Sequence, residues 1–226
     1  MFGFMEIKEG YDMTHGGGFP GIDELGSLAG SMDNVRLETS VKSPQEKLKS
    51  AAKLILEAIG EDSEREGLRG TPDRFARWWT EFINYDPGNT ATSFESVTTD
   101  QLVLVTGMRV WSLCEHHLLP FWCDISIGYI AQDRVLGLSK LARVAHKHAH
   151  ALQIQERLAD LIANEVAGLA GSPHVGVIAQ GRHLCMVMRG IKTDGLMTSS
   201  VLLGQFREDN QLRSEFLALA TQPQVR

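Results

Sequence analysis

The chain has only three cysteines, Cys114, Cys123 and Cys185, among 226 residues. That is too few for a disulfide framework, and it leaves metal ligation or simple burial in a reducing compartment as their expected fates. The sequence also lacks any apolar run near the ~20 residues that a membrane-spanning helix needs. Its first residues, MFGFMEIKEGYD, have neither the basic segment nor the apolar core of a secretory signal. A cytoplasmic protein without a membrane partner is therefore expected. Positive charge is short as well: 22 Lys and Arg against 28 Asp and Glu give a formal net charge of −6. This excludes a general nucleic-acid binder, whose surface would be basic. An anionic small ligand would have to be met by a local cluster of cations. No G-x-S-x-G nucleophile elbow occurs, so His15-Gly16-Gly17-Gly18 reads as a flexible glycine turn rather than an esterase oxyanion loop. Internal repeats are absent. What remains is ordinary for a globular chain, with 43% hydrophobic and 22% charged residues.

Residues 1–42 are rich in glycine and polar residues without a sustained period, which predicts a flexible extension. Residues 43–100 read as a helical segment. In SPQEKLKSAAKLILEAIG, Ser43 is the expected N-cap, Pro44 the first helical residue, and Glu46 the completion of a capping box. Leu48, Ala51, Ala52, Ile55 and Ile59 recur at helical spacing, and Gly60 is placed to end the helix. TPDRFARWWTEFI repeats the pattern with Thr71 as cap. Residues 101–226 then alternate strand pair, helix pair, strand pair. The strands are expected at Gln101–Leu113, Trp122–Ile130, Val175–Ala179, Leu184–Arg189 and Met197–Leu203. One helix runs from a Ser139 cap to about His150. Another covers about Ile154–Leu169, with Leu158, Leu161, Ile162 and Val166 on one face, and a last short helix covers Leu212–Leu219. The order implies an α+β domain with helices packed on one sheet face.

SLCEHHLLPFWCD places Cys114, Glu115, His116 and His117 together inside an apolar run, where unpaired polar groups cost free energy. The C-x-x-H spacing of Cys114 and His117 suits one metal ion gripped from a single turn. On the expected strand GRHLCMVMRG, His183 and Cys185 stand two apart and would share a sheet face. Cys114, His117 and Cys185 would offer zinc two thiolates and an imidazole, leaving an open fourth position, the catalytic arrangement. Cys123 could instead close a four-ligand structural site, or be a small buried thiol. His116 and His183 remain beside the metal as candidates for proton transfer.

Four stretches carry a resemblance: Cys114 through Phe121; Gly137-Leu138-Ser139-Lys140-Leu141-Ala142-Arg143; Gln153-Ile154-Gln155-Glu156-Arg157-Leu158; and His183-x-Cys185-Met186-x-Met188-Arg189-Gly190. Their order and spacing resemble GTP cyclohydrolase I from about Ser43 to Phe216. The resemblance implies the tunnelling fold, an antiparallel four-stranded sheet with two helices on one face, preceded here by N-terminal helices. It implies a homodecamer of two stacked pentamers with active sites between subunits. It also implies zinc-dependent hydrolysis of GTP, with C8 released as formate and closure to 7,8-dihydroneopterin triphosphate. That is the first step of pterin and folate, or of 7-deazapurine, synthesis. Carried over by position, Cys114, His117 and Cys185 match the zinc ligands, and His116 and His183 the acid–base histidines. Glu156 matches the carboxylate on the guanine edge, with Gln155 beside it. Lys140, Arg143 and Arg189 match the triphosphate contacts, Arg74 one donated by a neighbouring subunit, and Ser139 a serine near the ribose.

Departures from the family pattern are confined. The family commonly has an aromatic, an alanine and two arginines where this chain has His148-Ala149-His150-Ala151. With His146 this forms H-x-H-x-H, in which only His146 and His150, four apart, could chelate together on a helix. Trp122-Cys123-Asp124 stands where a glycine usually follows, and Gly195-Leu196-Met197-Thr198-Ser199-Ser200 replaces a threonine-rich run. Two other readings fit the same residues: a different tunnelling-fold enzyme acting on a purine or pterin, and a non-catalytic ring protein stabilised by zinc through Cys123.

Overall fold

The computed structural model describes residues 42–97 and 99–222; the expected extension and its glycine turn lie outside the described residues. Helix α1 spans Pro44–Ala58, and its start is the predicted one. Ser43 accepts from the Glu46 backbone N–H while the Glu46 carboxylate accepts from the Ser43 N–H, so two orphan donors are satisfied reciprocally. Gly60, at φ 78°, ends it as expected, with the Gly60 and Glu61 N–H groups returning to Glu57 and Leu56. Within α1 only Ala52 and Leu56 are buried, on the stripe where α2 packs, whereas Ile55 and Ile59 stay exposed.

Helix α2 spans Thr71–Ile83, with Gly70 rather than Thr71 as its N-cap. The Gly70 carbonyl already accepts from the Arg74 N–H, so the helical ladder begins one residue early, and the Thr71 hydroxyl accepts from the Arg74 guanidinium. The same correction applies to α3, Leu138–Ala149: Gly137 is the N-cap and Ser139 lies inside the first turn.

The main sheet has the order β5-β2-β3-β6-β7, with β2 at Gln101–Cys114, β3 at Pro120–Ala131, β5 at Leu152–Gln153, β6 at Val175–His183 and β7 at Met197–Leu202. The predicted four antiparallel strands are β2, β3, β6 and β7; the two-residue β5 adds a short parallel edge against Leu113 and Cys114. Two further short strands, β1 (Ser93–Glu95) and β4 (Arg134–Leu136), pair separately. In β3, Ile125, Ile127 and Tyr129 alternate toward the core and are fully buried. A bulge between Val105 and Met108 in β2 shifts the register against β3, with Gly107 at φ 68°.

Helices α3 and α4 (Gln155–Ala170) cover one face, where Leu141, Val144, Leu158, Ile162 and Val166 meet the inward strand residues. Leu161, expected on that face, lies at its rim and is 36% exposed. The opposite face is also partly covered, which the sequence reading did not foresee. Helices α6 (Gln205–Glu208) and α7 (Asn210–Ala220) place Phe206 and Phe216 against Ile130 and Ile178. Gly128 and Gly176 allow this approach, since a Cβ at either would stand within 3.0 Å of the Phe216 ring. The chain beyond His183 also departs from expectation. Cys185 sits in a helical turn, α5 (Leu184–Val187), not on a strand. Pairing with β3 ends at Phe121–His183 and pairing with β7 at Gly181–Met197, so the backbone there closes on itself through Met188 N–H to Leu184 carbonyl.

The histidine run closes α3 against the chain after α2. The His150 ring stacks on Tyr85 at 3.9 Å between centroids, and its Nδ1 donates to the His146 carbonyl. His148 and Lys147 both reach Glu165. The His146 Nδ1 is buried without a partner among the described residues. Burial, and secondarily the charge of His150, holds the His146 pKa below its ordinary value of 6.5. The unfolded chain therefore takes up more protons in the window just below ~6.5, and this contribution to stability is lost as pH falls. The unfolding midpoint should drop between about pH 7 and about pH 5, and His146→Leu should flatten that drop; an unchanged slope in thermal melts would count against it.

Candidate active site and metal centre

A tight turn at the end of β2 builds the first half of the site. The Cys114 carbonyl accepts from the N–H groups of both His117 and Leu118, and the Cys114 N–H donates to the Leu119 carbonyl. Leu118 takes φ 55°, a conformation that non-glycine residues reach only when surrounding structure enforces it. Cys114 and His117 thereby lie on one side of the turn. The α5 turn supplies the second half.

The ligand atoms of Cys114, His117 and Cys185 all lie within 4.8 Å of one another, forming the only group of three or more His, Cys, Asp or Glu so arranged among the described residues. The two thiol sulfurs are 4.0 Å apart, and Cys114 Sγ is 4.0 Å from His117 Nδ1. Ligands about 2.3 Å from a tetrahedral zinc stand ~3.8 Å from each other, so spacing and donor chemistry both fit that ion. Burial, then the neighbouring Cys114, pushes the Cys185 thiol up from its ordinary pKa, as expected of two thiols brought together without a cation. Arg189 reaches His117 Nε2 on the outer side of the ring.

Cys123 is not part of this group. It is fully buried on β3, facing the core, where its thiol donates to Gln155 Oε1 at 3.4 Å. Burial pushes its pKa up to about 12, so it remains a protonated thiol at neutral pH. A four-ligand site closed by Cys123 is therefore not built. Nor do His146 and His150 belong to a group of three or more metal-binding side chains among the described residues.

Around the centre, His116 is largely exposed and its Nδ1 is 3.9 Å from Cys114 Sγ. Glu115, which had no expected role, lies 4.0 Å from His116 Nε2 and forms an ion pair with Arg157. Arg157 also donates to Gln153 Oε1 and to the Leu152 carbonyl, tying the turn to β5 and α4. His183 stacks flat on buried Phe121, with centroids 4.5 Å apart and planes 8° apart. Burial lowers its pKa below the ordinary 6.5, while the charge of Glu156 pulls the other way. Glu156 is exposed in the first turn of α4. Gln155 beside it is fully buried, with its amide bonded to groups of this chain.

The remaining expected residues lie elsewhere. Lys140 donates to the Asn89 carbonyl at 2.6 Å and Arg143 to the Pro87 carbonyl, both near the start of α3 with Ser139. Arg74 is held on α2 by Thr71 and the Gly67 carbonyl. Sequence reasoning missed Phe121, Glu115 and Arg157 as parts of the site. Glu115 alone gave a signal, a charge inside an apolar run. Metal titration should load one zinc per chain; Cys185→Ala should abolish loading and Cys123→Ala should not. Cobalt spectra should report two thiolates, and three would overturn the assignment.

The family model described as GTP cyclohydrolase I matches residues 48–221. A GTP cyclohydrolase 1 of Hyperthermus butylicus is 45% identical over 170 residues, covering 75% of this chain and 87% of that protein. The Aquifex aeolicus protein of the same name is 43% identical over 176 residues, covering 77% and 96%. That of Hahella chejuensis is 44% identical over 181 residues, covering 77% and 95%. Among solved structures, the apo archaeosine synthase QueF-Like covers 44% of this chain and 91% of its own, with TM-score 0.36 and 18% identity. With the family model spanning most of the chain, and relatives this similar along nearly their whole length, the chain belongs to the GTP cyclohydrolase I family.

Proposed function

We propose that this chain hydrolyses GTP to formate and 7,8-dihydroneopterin triphosphate, using zinc held by Cys114, His117 and Cys185. The observation that carries the reading is the convergence of those three ligand atoms beside His116 and His183 in a chain of this family. Within it, residues 43–100 form a helical segment and 101–226 the catalytic domain. Zinc bound there would polarise a water and lower its pKa from ~16 toward ~7, making a nucleophile available at neutral pH.

The chain's own residues do the rest. Glu156 accepts from guanine N1–H and the exocyclic amine, a pairing that adenine cannot offer. His183, kept neutral by burial, and solvent-facing His116 move protons at the purine imidazole and the opened formamide. Arg189, Lys140, Arg143 and Arg74 supply the positive charge that the acidic chain otherwise lacks, matched to a triphosphate. Ser139, exposed in the first turn of α3, serves the ribose rearrangement.

The geometry of one chain supports sharing between copies. Tyr129, whose hydroxyl accepts from the Leu136 N–H just before α3, and Phe121, which backs His183, are both on β3. At ~3.3 Å per residue they stand about 26 Å apart along the strand. The start of α3 therefore lies toward the Tyr129 end of β3, away from the metal ligands at its Pro120 end. A ring in which one copy brings Lys140, Arg143 and Ser139 to the metal of the next resolves this, in keeping with the expected decamer of two pentamers. Among the described residues no helix is long and apolar enough to cross a membrane, and the three free thiols suit a cytoplasmic location.

Incubation of the zinc-loaded protein with GTP should release formate and give a fluorescent pterin after oxidation, and Cys185→Ala should abolish both. Pterin products without formate would favour another tunnelling-fold activity. Separately, Lys140→Ala and Cys185→Ala chains, each inactive alone, should regain activity when unfolded and refolded together. No recovery in mixed oligomers would place both groups of residues in one chain's site.

A further inference from the structure

Gln155 is the first residue of α4, and its side chain runs inward between β6 and β7. Its Nε2 donates to the Ala179 carbonyl at 2.9 Å and the Met197 carbonyl at 3.1 Å, with Ser199 Oγ at 3.3 Å. Turning the amide over would set its oxygen against two carbonyl oxygens, so the backbone of two strands fixes which end is which. The oxygen is left facing two groups, Cys123 Sγ at 3.4 Å and His183 Nε2 at 3.0 Å. A thiol can donate there. A bare imidazole nitrogen cannot, so the short contact requires a hydrogen on Nε2.

The space for this arrangement is built in. A Cβ at Gly181 would stand 2.5 Å from both Cys123 Sγ and Gln155 Oε1, so the meeting point exists because residue 181 has no side chain. Phe121 holds the His183 ring parallel to its own, which fixes the plane in which Nε2 meets the amide oxygen. With both amide hydrogens and both oxygen lone pairs engaged inside the chain, Gln155 has no side-chain capacity left for a ligand.

We propose that Gln155 is a positioning residue: its clamped carboxamide keeps the hydrogen on His183 Nε2, so that Nδ1 is the bare nitrogen His183 presents, while Cys123 occupies the second lone pair of the amide oxygen. The proposal rests on the reading of His183 as an acid–base residue of GTP hydrolysis. It gives the buried Cys123 a defined task, and it separates Gln155 from its neighbour Glu156, which faces outward to the substrate.

Nitrogen NMR of the zinc-loaded protein labelled at histidine tests it, with His183 signals identified by their loss in His183→Asn. At about pH 8, where an ordinary imidazole is neutral, His183 should show a bare Nδ1 and a protonated Nε2. Gln155→Met, close in shape but without an acceptor, should show both tautomers. Its kcat for GTP should fall about 10–100-fold as the ring loses its alignment, with KM changed less than about threefold and zinc content unchanged. A proton on Nδ1 in the wild-type chain overturns the proposal. So does a Gln155→Met protein with unaltered kcat, or one whose KM rises while kcat holds. If Gln155→Met does not fold, the wild-type spectrum still decides. Absence of formate from wild-type protein would sink the functional reading while leaving the tautomer measurement intact.

Discussion

Everything at the site depends on β3 being hydrogen-bonded on both sides. Its pairing with β2 brings Phe121 opposite Ser112, and its pairing with β6 brings the same Phe121 opposite His183. Two segments about seventy residues apart in sequence thus end at one edge of the sheet, one in a tight turn and one in a helical turn. Cys114 and Cys185 meet because β2 turns back into β3 just after Cys114 and β6 leaves β3 just after His183, both at the Pro120 end of β3. The buried inward residues of β3 and the facing helices α3 and α4 fix that register, since a slip by one position would turn the whole set outward.

The division of labour within the chain follows from the same topology. Metal ligands and histidines gather at the Pro120 end of the sheet, whereas the cations of α3 follow the Ala131 end. Lys140 and Arg143 rest on carbonyls of the loop after α2.

Much of this was legible in the sequence, and the boundary is physical. The α1 capping box needs only residues 43–60, so local chemistry determines it and the reading matched. The convergence of Cys114, His117 and Cys185 was legible because thiol and imidazole are rare, specific donors. Cap positions at Thr71 and Ser139 were misplaced by one or two residues, since glycine at Gly70 and Gly137 competes for the same role without side-chain chemistry. The strand expected at Leu184–Arg189 failed for a nonlocal reason: a period-two pattern cannot reveal that the neighbouring strands have ended. The contacts of Cys123 with Gln155, and of Phe121 with His183, left no signal because each joins residues distant in sequence, the second pair as direct partners across β3 and β6.

The bulge at Thr106–Gly107 changes which parity of β2 residues faces the helices. Before it, odd-numbered residues such as Val103 and Val105 face the helices; after it, even-numbered residues such as Met108, Val110 and Cys114 do. Removing one residue at the bulge would restore a regular ladder with Val105 still opposite Ile127 and Met108 still opposite Ile125, whereas removing one between Met108 and Cys114 would turn Cys114 to the opposite face. Length changes in β2 are therefore not interchangeable with substitutions. What keeps Cys114 on the face it shares with Cys185 is the number of residues from Met108 to Cys114, not the number through the bulge.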